Sequence, residues 1–359
     1  MRPLVTPSIE SLVPYEAGKP VEEVARELGV ENAVKLASNE NPLGPSPRAV
    51  EAVRRAVTEA HRYPDAAAYR LRERIAQEHD VSMAEVIQGN GSNELIELLI
   101  RTFSTAADHV VFAENSFVVY RLATLAHGVP FTAVPLRDWT HDLTAMAAAV
   151  TPKTRLMFIA NPNNPTGTYV DRKSLERLLQ DVPQEVIVVM DEAYLQYVSA
   201  EDYPDSLELR GLRERLVSLR TFSKIYGLAA LRVGYAIGPT DLVDYMNRVR
   251  APFNVNALGQ AAALAALDDR EHVERSRAQN ATERARLQEE LAKLDVGVVP
   301  SQANFVFVDA RRPGRELYQE LLKKGVIVRP LGQTSFLRIT VGTADENTRA
   351  LAALKEVLA

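Results

Sequence analysis

Cysteine is missing from all 359 residues, which excludes disulfides and cysteine-ligated zinc and makes a reducing compartment the expected setting. No apolar run approaches the roughly 20 residues that a membrane-spanning helix needs. The opening MRPLVTPSIESLVPYEAGKP holds no apolar core of signal-peptide length. A cytoplasmic chain without a membrane partner is therefore expected. Histidine is scarce: the six present are scattered, with no HExxH pair and no His/carboxylate cluster at ligand spacing, so a metal site is not expected. Basic charge is not concentrated anywhere. With 42 Lys and Arg against 47 Asp and Glu, and a formal net charge of −5, nucleic acid is not an expected partner.

The chain carries the composition of a globular protein, 46% apolar and 25% charged, without repeats or low-complexity stretches. A Pro/Gly-rich loop, ASNENPLGPSP, feeds a helix for which Ser46 is the expected N-cap and Pro47 the first residue. NELIELLIRTF reads as a helix, and HVVFAEN, PFTAVPL, TRLMFIANP, EVIVVMDEAY, LVSLRTFSK and RVGYAIG read as strands. Several of these are continuously apolar rather than alternating, which calls for burial on both faces of a central sheet covered by helices. The predicted class is α/β. Beyond about residue 255 the texture changes. An Ala-rich and then charged stretch predicts one or two long helices, followed by short strands at NFVFVDA, GVIVRPL and FLRITVG. This predicts a large domain over 38–257 and a smaller α+β domain built from 258–359 and the N-terminal arm, 1–37.

In such sheets ligands collect at the carboxyl ends of the strands, so polar residues just after the apolar runs are the candidates. Gly89 and Gly91 lead into a helix whose first turn holds Ser92 and Asn93, an anion cradle suited to phosphate or an ordinary N-cap. NPNNPTG follows another strand. It has more asparagines than a turn requires, and Asn164 could offer a fixed amide. Asp191 ends a strand expected to be buried, where a carboxylate needs a cation or strong donors unless it caps a helix. Glu192 beside it is expected to be solvated or capping, and Tyr194 can bring its hydroxyl to the same place. Lys224 also follows an apolar strand, with Thr221 and Ser223 beside it and Arg232 eight residues on. Desolvation there lowers a lysine pKa and raises its nucleophilicity, whereas a surface lysine would simply be solvated. A phosphate cradle, a buried aspartate, an amide, a phenol, a lysine and an arginine together are what pyridoxal phosphate demands.

NPNNPTG, DEAY and TFSKIYGLAALRVGY resemble the motifs of fold-type-I pyridoxal-phosphate aminotransferases. LASNENPLGPSP, RYPD, ANPNNPTG, SQANFVFV, GVIVRP and FLRITVGT are more closely similar to the histidinol-phosphate aminotransferases, in the same order from about Leu36 to the C-terminus. The resemblance implies that Lys224 forms the Schiff base and shuttles the substrate proton. It implies that Asp191 pairs with the pyridinium nitrogen, and that Asn164 and Tyr194 hold the 3′ oxygen. Ser92, Asn93, Thr221, Ser223 and Arg232 would hold the phosphate. Phe117 sits where the family often has a tyrosine; it can stack on the ring but cannot donate a hydrogen bond. Tyr63 matches a tyrosine that reaches the neighbour's cofactor across a homodimer. Arg338 would grip the substrate's anionic group, with Arg329 and Asn304 as further candidates.

The implied reaction is ping-pong transamination between L-histidinol phosphate and 2-oxoglutarate, a step of histidine biosynthesis. Two readings on the same fold stay open: an aromatic amino acid aminotransferase and a threonine-phosphate decarboxylase. A non-catalytic regulator is a more remote one. Such regulators usually carry a DNA-binding domain, and the extension before the motifs is under forty residues and not basic.

Overall fold

A computed structural model of the chain describes residues 3–14 and 18–358. Its centre is a seven-stranded sheet. In spatial order the strands are Val86–Gly89, Gly234–Ile237, Leu216–Thr221, Ile187–Asp191, Thr154–Ala160, His109–Ala113 and Phe131–Val134. Only Gly234–Ile237 runs against its neighbours; the other pairings are parallel. Successive side chains on a strand point to opposite faces, and here both faces are covered. Leu156 and Phe158 pack under the helices Ser92–Phe103 and Val119–Ala126, while Met157 and Ile159 pack under Arg172–Asp181. That double burial is why these strands read as unbroken apolar runs. The helix Pro47–Ala56 starts as expected, with Ser46 Oγ accepting from Ala49 N at 3.1 Å.

A second, antiparallel sheet has the spatial order Arg329–Pro330, Phe336–Thr340, Phe305–Asp309, Gly297–Val299. The helices Arg270–Ala292, Gly314–Lys323 and Ala344–Leu358 cover it with Leu287, Leu291, Leu317, Leu321 and Leu354. The stretch GVIVRPL, expected as one strand, divides between two sheets. Val326–Ile327 pairs in parallel with Val34–Lys35, and Arg329–Pro330 pairs with Phe336–Thr340. Proline has no N–H for a ladder, so Pro330 fits only at the sheet edge it occupies.

The N-terminal segment reaches both parts. Val24 and Ala37 pack on Leu322 and Ile327, whereas the short helix Pro7–Glu10 lies against Val119–Ala126. The helix Ala257–Leu267, grouped with the smaller domain on sequence grounds, packs instead on Pro47–Ala56 and Tyr69–His79. Its Ala262, Ala263 and Ala266 join Leu71, Ile75, Val86 and Tyr235 in one core. Alanine on that face lets the helices approach closely.

Candidate active site

Because Thr154–Ala160, Ile187–Asp191 and Leu216–Thr221 are parallel and adjacent, their carboxyl ends open onto one edge of the sheet. Ala160 pairs with Asp191, and Asp191 with Leu219, so these ends lie at one level. A cleft of about 770 Å³ opens there. Its walls include Ser92, Asn93, Phe117, Asn164, Asp191, Tyr194, Thr221, Ser223, Lys224, Arg232 and Arg338, residues drawn from more than two hundred positions of sequence.

The turn after Thr154–Ala160 explains its surplus of asparagines. Asn161 Oδ1 accepts from Val170 N at 2.9 Å, and Asn163 Nδ2 donates to Asn115 O at 3.0 Å and Thr166 Oγ1 at 2.9 Å. Both amides hold the turn together. Asn164 is left facing the cleft, where its Oδ1 accepts from Arg338 Nη1 at 2.6 Å. The Asn161–Pro162 and Asn164–Pro165 peptides are cis.

Asp191 is buried. Its Oδ2 accepts the Tyr120 hydroxyl at 2.7 Å, while Oδ1 has no hydrogen-bond partner among the described residues. Burial raises its carboxyl pKa, offset in part by the Tyr120 hydroxyl, the Ala193 N–H and the nearby Lys224. A buried carboxylate oxygen with nothing to accept from is costly. A protonated ring nitrogen is the kind of donor it lacks. Tyr194 Oη accepts from Asn39 Nδ2 at 2.9 Å, and the Tyr194 ring lies 5.7 Å from Lys224 Nζ.

Lys224 Nζ donates to Ser38 O at 3.3 Å. Burial, and next the Arg338 cation, push its pKa down from 10.5 to about 8. The neutral amine is the nucleophilic form of a lysine, and it becomes the major form above that pH. Reloading of cofactor-stripped protein is therefore expected to quicken with pH and level off just above pH 8. A rate still climbing through pH 10, as for an ordinary lysine, contradicts this.

The candidate anion cradle is built by close backbone approach. Gly91 has φ +76°, and a Cβ there would lie 2.5 Å from Arg232 Nη2. A Cβ on Gly234 would lie 2.6 Å from Ser92 N, at the start of the 12-residue helix Ser92–Phe103. Arg232, itself left-handed at φ +56°, donates to Ala229 O at 2.9 Å and Ser223 Oγ at 3.4 Å. Free helical N–H groups, hydroxyls and a guanidinium converge on one place, as an anion requires. The donor set, the glycine cradle and the unpartnered Asp191 Oδ1 fit pyridoxal phosphate.

Not every expected residue lines the cleft. Asn304 is buried beside it and donates to Asn39 O at 3.0 Å. Arg329 stands directly opposite Arg338 on the neighbouring strand. Tyr63 is 83% exposed and stacks on Phe253 at 4.8 Å between ring centroids, outside this chain's own cleft. Phe117 lines the cleft and meets the Tyr120 ring edge-on at 5.8 Å.

Glu192 corrects its expectation. It is buried, and its Oε2 accepts from Arg220 Nε at 3.0 Å and Nη2 at 2.9 Å. Burial works against the Arg220 charge, but Glu192, and Asp205 beyond it, hold the guanidinium above its ordinary range. The fork-shaped pair needs the strand Leu216–Thr221 and the residue after Asp191 to be neighbours, which their parallel pairing provides. Glu192→Ala leaves a buried cation short of its partner and is expected to cost about 3–5 kcal/mol of stability, read as a lower urea midpoint. An unchanged midpoint counts against the pair. Sequence reasoning also missed Tyr120 and Asn39. Tyr120 sits in an apolar helical turn and looks like core; Asn39, at φ +55°, looked like loop.

The family described as aminotransferase class I and II matches residues 31–354. Histidinol-phosphate aminotransferase 2 of Pseudomonas aeruginosa is 48% identical, over 99% of this chain and 98% of its own length. The histidinol-phosphate aminotransferase of Moorella thermoacetica is 49% identical, over 98% and 92%. Among solved structures, histidinol-phosphate aminotransferase of Sinorhizobium meliloti in complex with pyridoxal 5′-phosphate superposes with a TM-score of 0.91 at 28% identity, covering 100% of this chain and 98% of that one. Motif order, fold and cleft agree with these matches: the chain belongs to the class I and II aminotransferases.

Proposed function

We propose that the chain transfers an amino group between L-histidinol phosphate and 2-oxoglutarate, giving imidazole-acetol phosphate and L-glutamate, with pyridoxal phosphate as cofactor. The chemistry rests on one observation above others: Lys224 and the half-satisfied Asp191 face the same buried cleft. The substrate assignment is supported by relatives of that name matched over nearly the whole chain.

The bound cofactor supplies an electron sink for the pair left when the substrate α-carbon loses its proton. Neutral Lys224 Nζ takes that proton, and its lowered pKa leaves more of the neutral amine at a given pH than an ordinary lysine would have. Asp191 Oδ1 would accept from a protonated ring nitrogen, and Tyr120 fixes the carboxylate's orientation through Oδ2. Asn164 and Tyr194 present an amide and a phenol to the ring's oxygen. Ser92, Asn93, Thr221, Ser223 and Arg232 hold the phosphate. Phe117 lines the same cleft and would pack on the ring face, without a hydroxyl to offer.

Arg338 receives the substrate anion. Its guanidinium is planar and forked, so it accepts carboxylate or phosphate in two-point contact. Arg329 stands directly across the sheet and adds a second positive charge. Asn304 acts through Asn39, which carries the hydrogen bond to Tyr194. Arg338→Ala is expected to raise KM for histidinol phosphate and 2-oxoglutarate together by about tenfold or more, each losing a charge-assisted contact. A change confined to one substrate contradicts a shared anion site.

Two coarser features complete the proposal. The chain works as a homodimer in the cytoplasm; no helix among the described residues is long and apolar enough to cross a membrane. The exposed Tyr63 reaches the partner's cofactor phosphate. Sedimentation should give a two-chain mass, and Tyr63→Ala should weaken cofactor retention; a monomer of full activity contradicts both. The larger domain runs to about Leu267, since the helix Ala257–Leu267 shares its core. Limited proteolysis should cut near Asp268–Asp269, and cleavage before Ala257 would contradict that boundary.

A further inference from the structure

The only tryptophan in the chain holds an unusual backbone conformation. Arg137 and Thr140 form an antiparallel bridge, and the two residues between them, Asp138 and Trp139, have φ +49° and +62°. Turns of this kind favour Asn-Gly or Asp-Gly, and a bulky residue with positive φ persists only where its surroundings hold it there.

The surroundings are specific. The indole meets the Phe336 ring at 4.5 Å and the Phe307 ring at 5.1 Å, and those two rings stack at 4.8 Å with 3° between their planes. Both belong to the antiparallel sheet. Phe307 is the direct cross-strand partner of Arg338, and Phe336 precedes it by two residues, so all three side chains share a face. The main chain of Trp139 points the other way, into the seven-stranded part. Its carbonyl accepts from Thr168 Oγ1 at 2.7 Å, Thr168 Oγ1 lies 2.8 Å from Thr166 Oγ1, and Thr166 Oγ1 accepts from Asn163 Nδ2 at 2.9 Å. His141 anchors the same turn, with Nε2 2.9 Å from Ala160 O. One residue thus grips the strand pair bearing Arg338 with its ring and the turn bearing Asn164 with its carbonyl. Arg338 and Asn164 then meet at 2.6 Å.

We propose that Trp139 is a positioning residue for anion recognition: it sets Arg338 against Asn164 across the two sheets. This rests on the reading of Arg338 as the anion-binding group. An aromatic contact and a hydrogen bond on opposite sides of one strained residue fix two elements that the chain itself leaves about 170 residues apart.

The test uses the holoenzyme and maleate, an unreactive dicarboxylate, with Kd read from the cofactor absorbance. Trp139→Ala is expected to raise Kd about tenfold, within the coupling range of touching groups. Trp139→Phe, which keeps a ring, recovers most of the loss. In an Arg338→Ala background, Trp139→Ala adds nothing further. Thr168→Val deletes the hydrogen bond to the Trp139 carbonyl along with the contact to Thr166 Oγ1, and is expected to weaken maleate by roughly threefold, about the worth of a hydrogen bond; it serves where Trp139→Ala does not fold. Unchanged Kd in both Trp139→Ala and Thr168→Val overturns the proposal, as does a Trp139→Ala penalty that persists undiminished without Arg338. If Arg338→Ala itself leaves Kd unchanged, the arginine reading falls first and takes this inference with it.

Discussion

Lys224→Ala is expected to fold normally and to lose turnover by about a thousandfold or more, because in the proposed mechanism it removes both the nucleophile that joins the cofactor and the base at the substrate α-carbon. The lysine is buried beside Ser38 O and the Tyr194 ring, and among the described residues no second amine lines the cleft to replace it. Truncation also removes a partly charged group from an apolar setting, so the folded state should not suffer. Borohydride reduction followed by denaturation separates this role from mere packing. The unaltered protein should retain cofactor covalently, and the variant should retain none. Activity within tenfold of the unaltered protein sinks the role given to Lys224.

The second large effect belongs to Asp191. Asp191→Asn keeps the shape and an acceptor for Tyr120 Oη but cannot hold a ring nitrogen protonated. A preorganised charge aimed at the site of electron flow typically contributes a hundredfold or more, so kcat should fall by at least about a hundredfold. Maleate affinity should move by less than about threefold, because Arg338, not Asp191, carries it. A variant altered only in affinity contradicts the assignment. The Oδ1 atom makes this test sharp: among the described residues it has no hydrogen-bond partner within normal geometry.

These residues were legible because the parallel sheet leaves a strong imprint. Asp191 closes a strand whose two faces are both buried and which is otherwise an unbroken apolar run, and Lys224 follows one that is buried throughout but carries Ser218 and Arg220. Where the run stops at a polar residue, the sheet edge is found. Asn164 was legible through excess, since the turn uses Asn161 and Asn163 for itself. Tyr120 was hidden for the opposite reason. Its ring stacks on Phe158 at 5.0 Å between centroids, as a core residue would, and only its hydroxyl reaches Asp191. Asn39 depends on a partner 155 residues away, which no local pattern announces.

Glu192 was misjudged because charge pairing across strands leaves no trace in a single segment. Arg220 lies inside the next strand, flanked by Leu219 and Thr221, and its pairing is set by the sheet register. The division of GVIVRPL had the same origin: Val326 and Ile327 find their partners at Val34 and Lys35, almost three hundred residues earlier. The Ala-rich helix Ala257–Leu267 declared its helicity but not its neighbour.

Single-turnover mixing of the cofactor-loaded protein with L-histidinol phosphate, in the absence of 2-oxoglutarate, addresses both chemistry and substrate. The yellow cofactor band should bleach while one equivalent of imidazole-acetol phosphate forms per site, faster than phenylalanine or threonine phosphate drives any change. Faster bleaching by phenylalanine would keep the transamination and overturn the substrate; carbon dioxide from threonine phosphate, or no response to any of the three, would contradict the account itself.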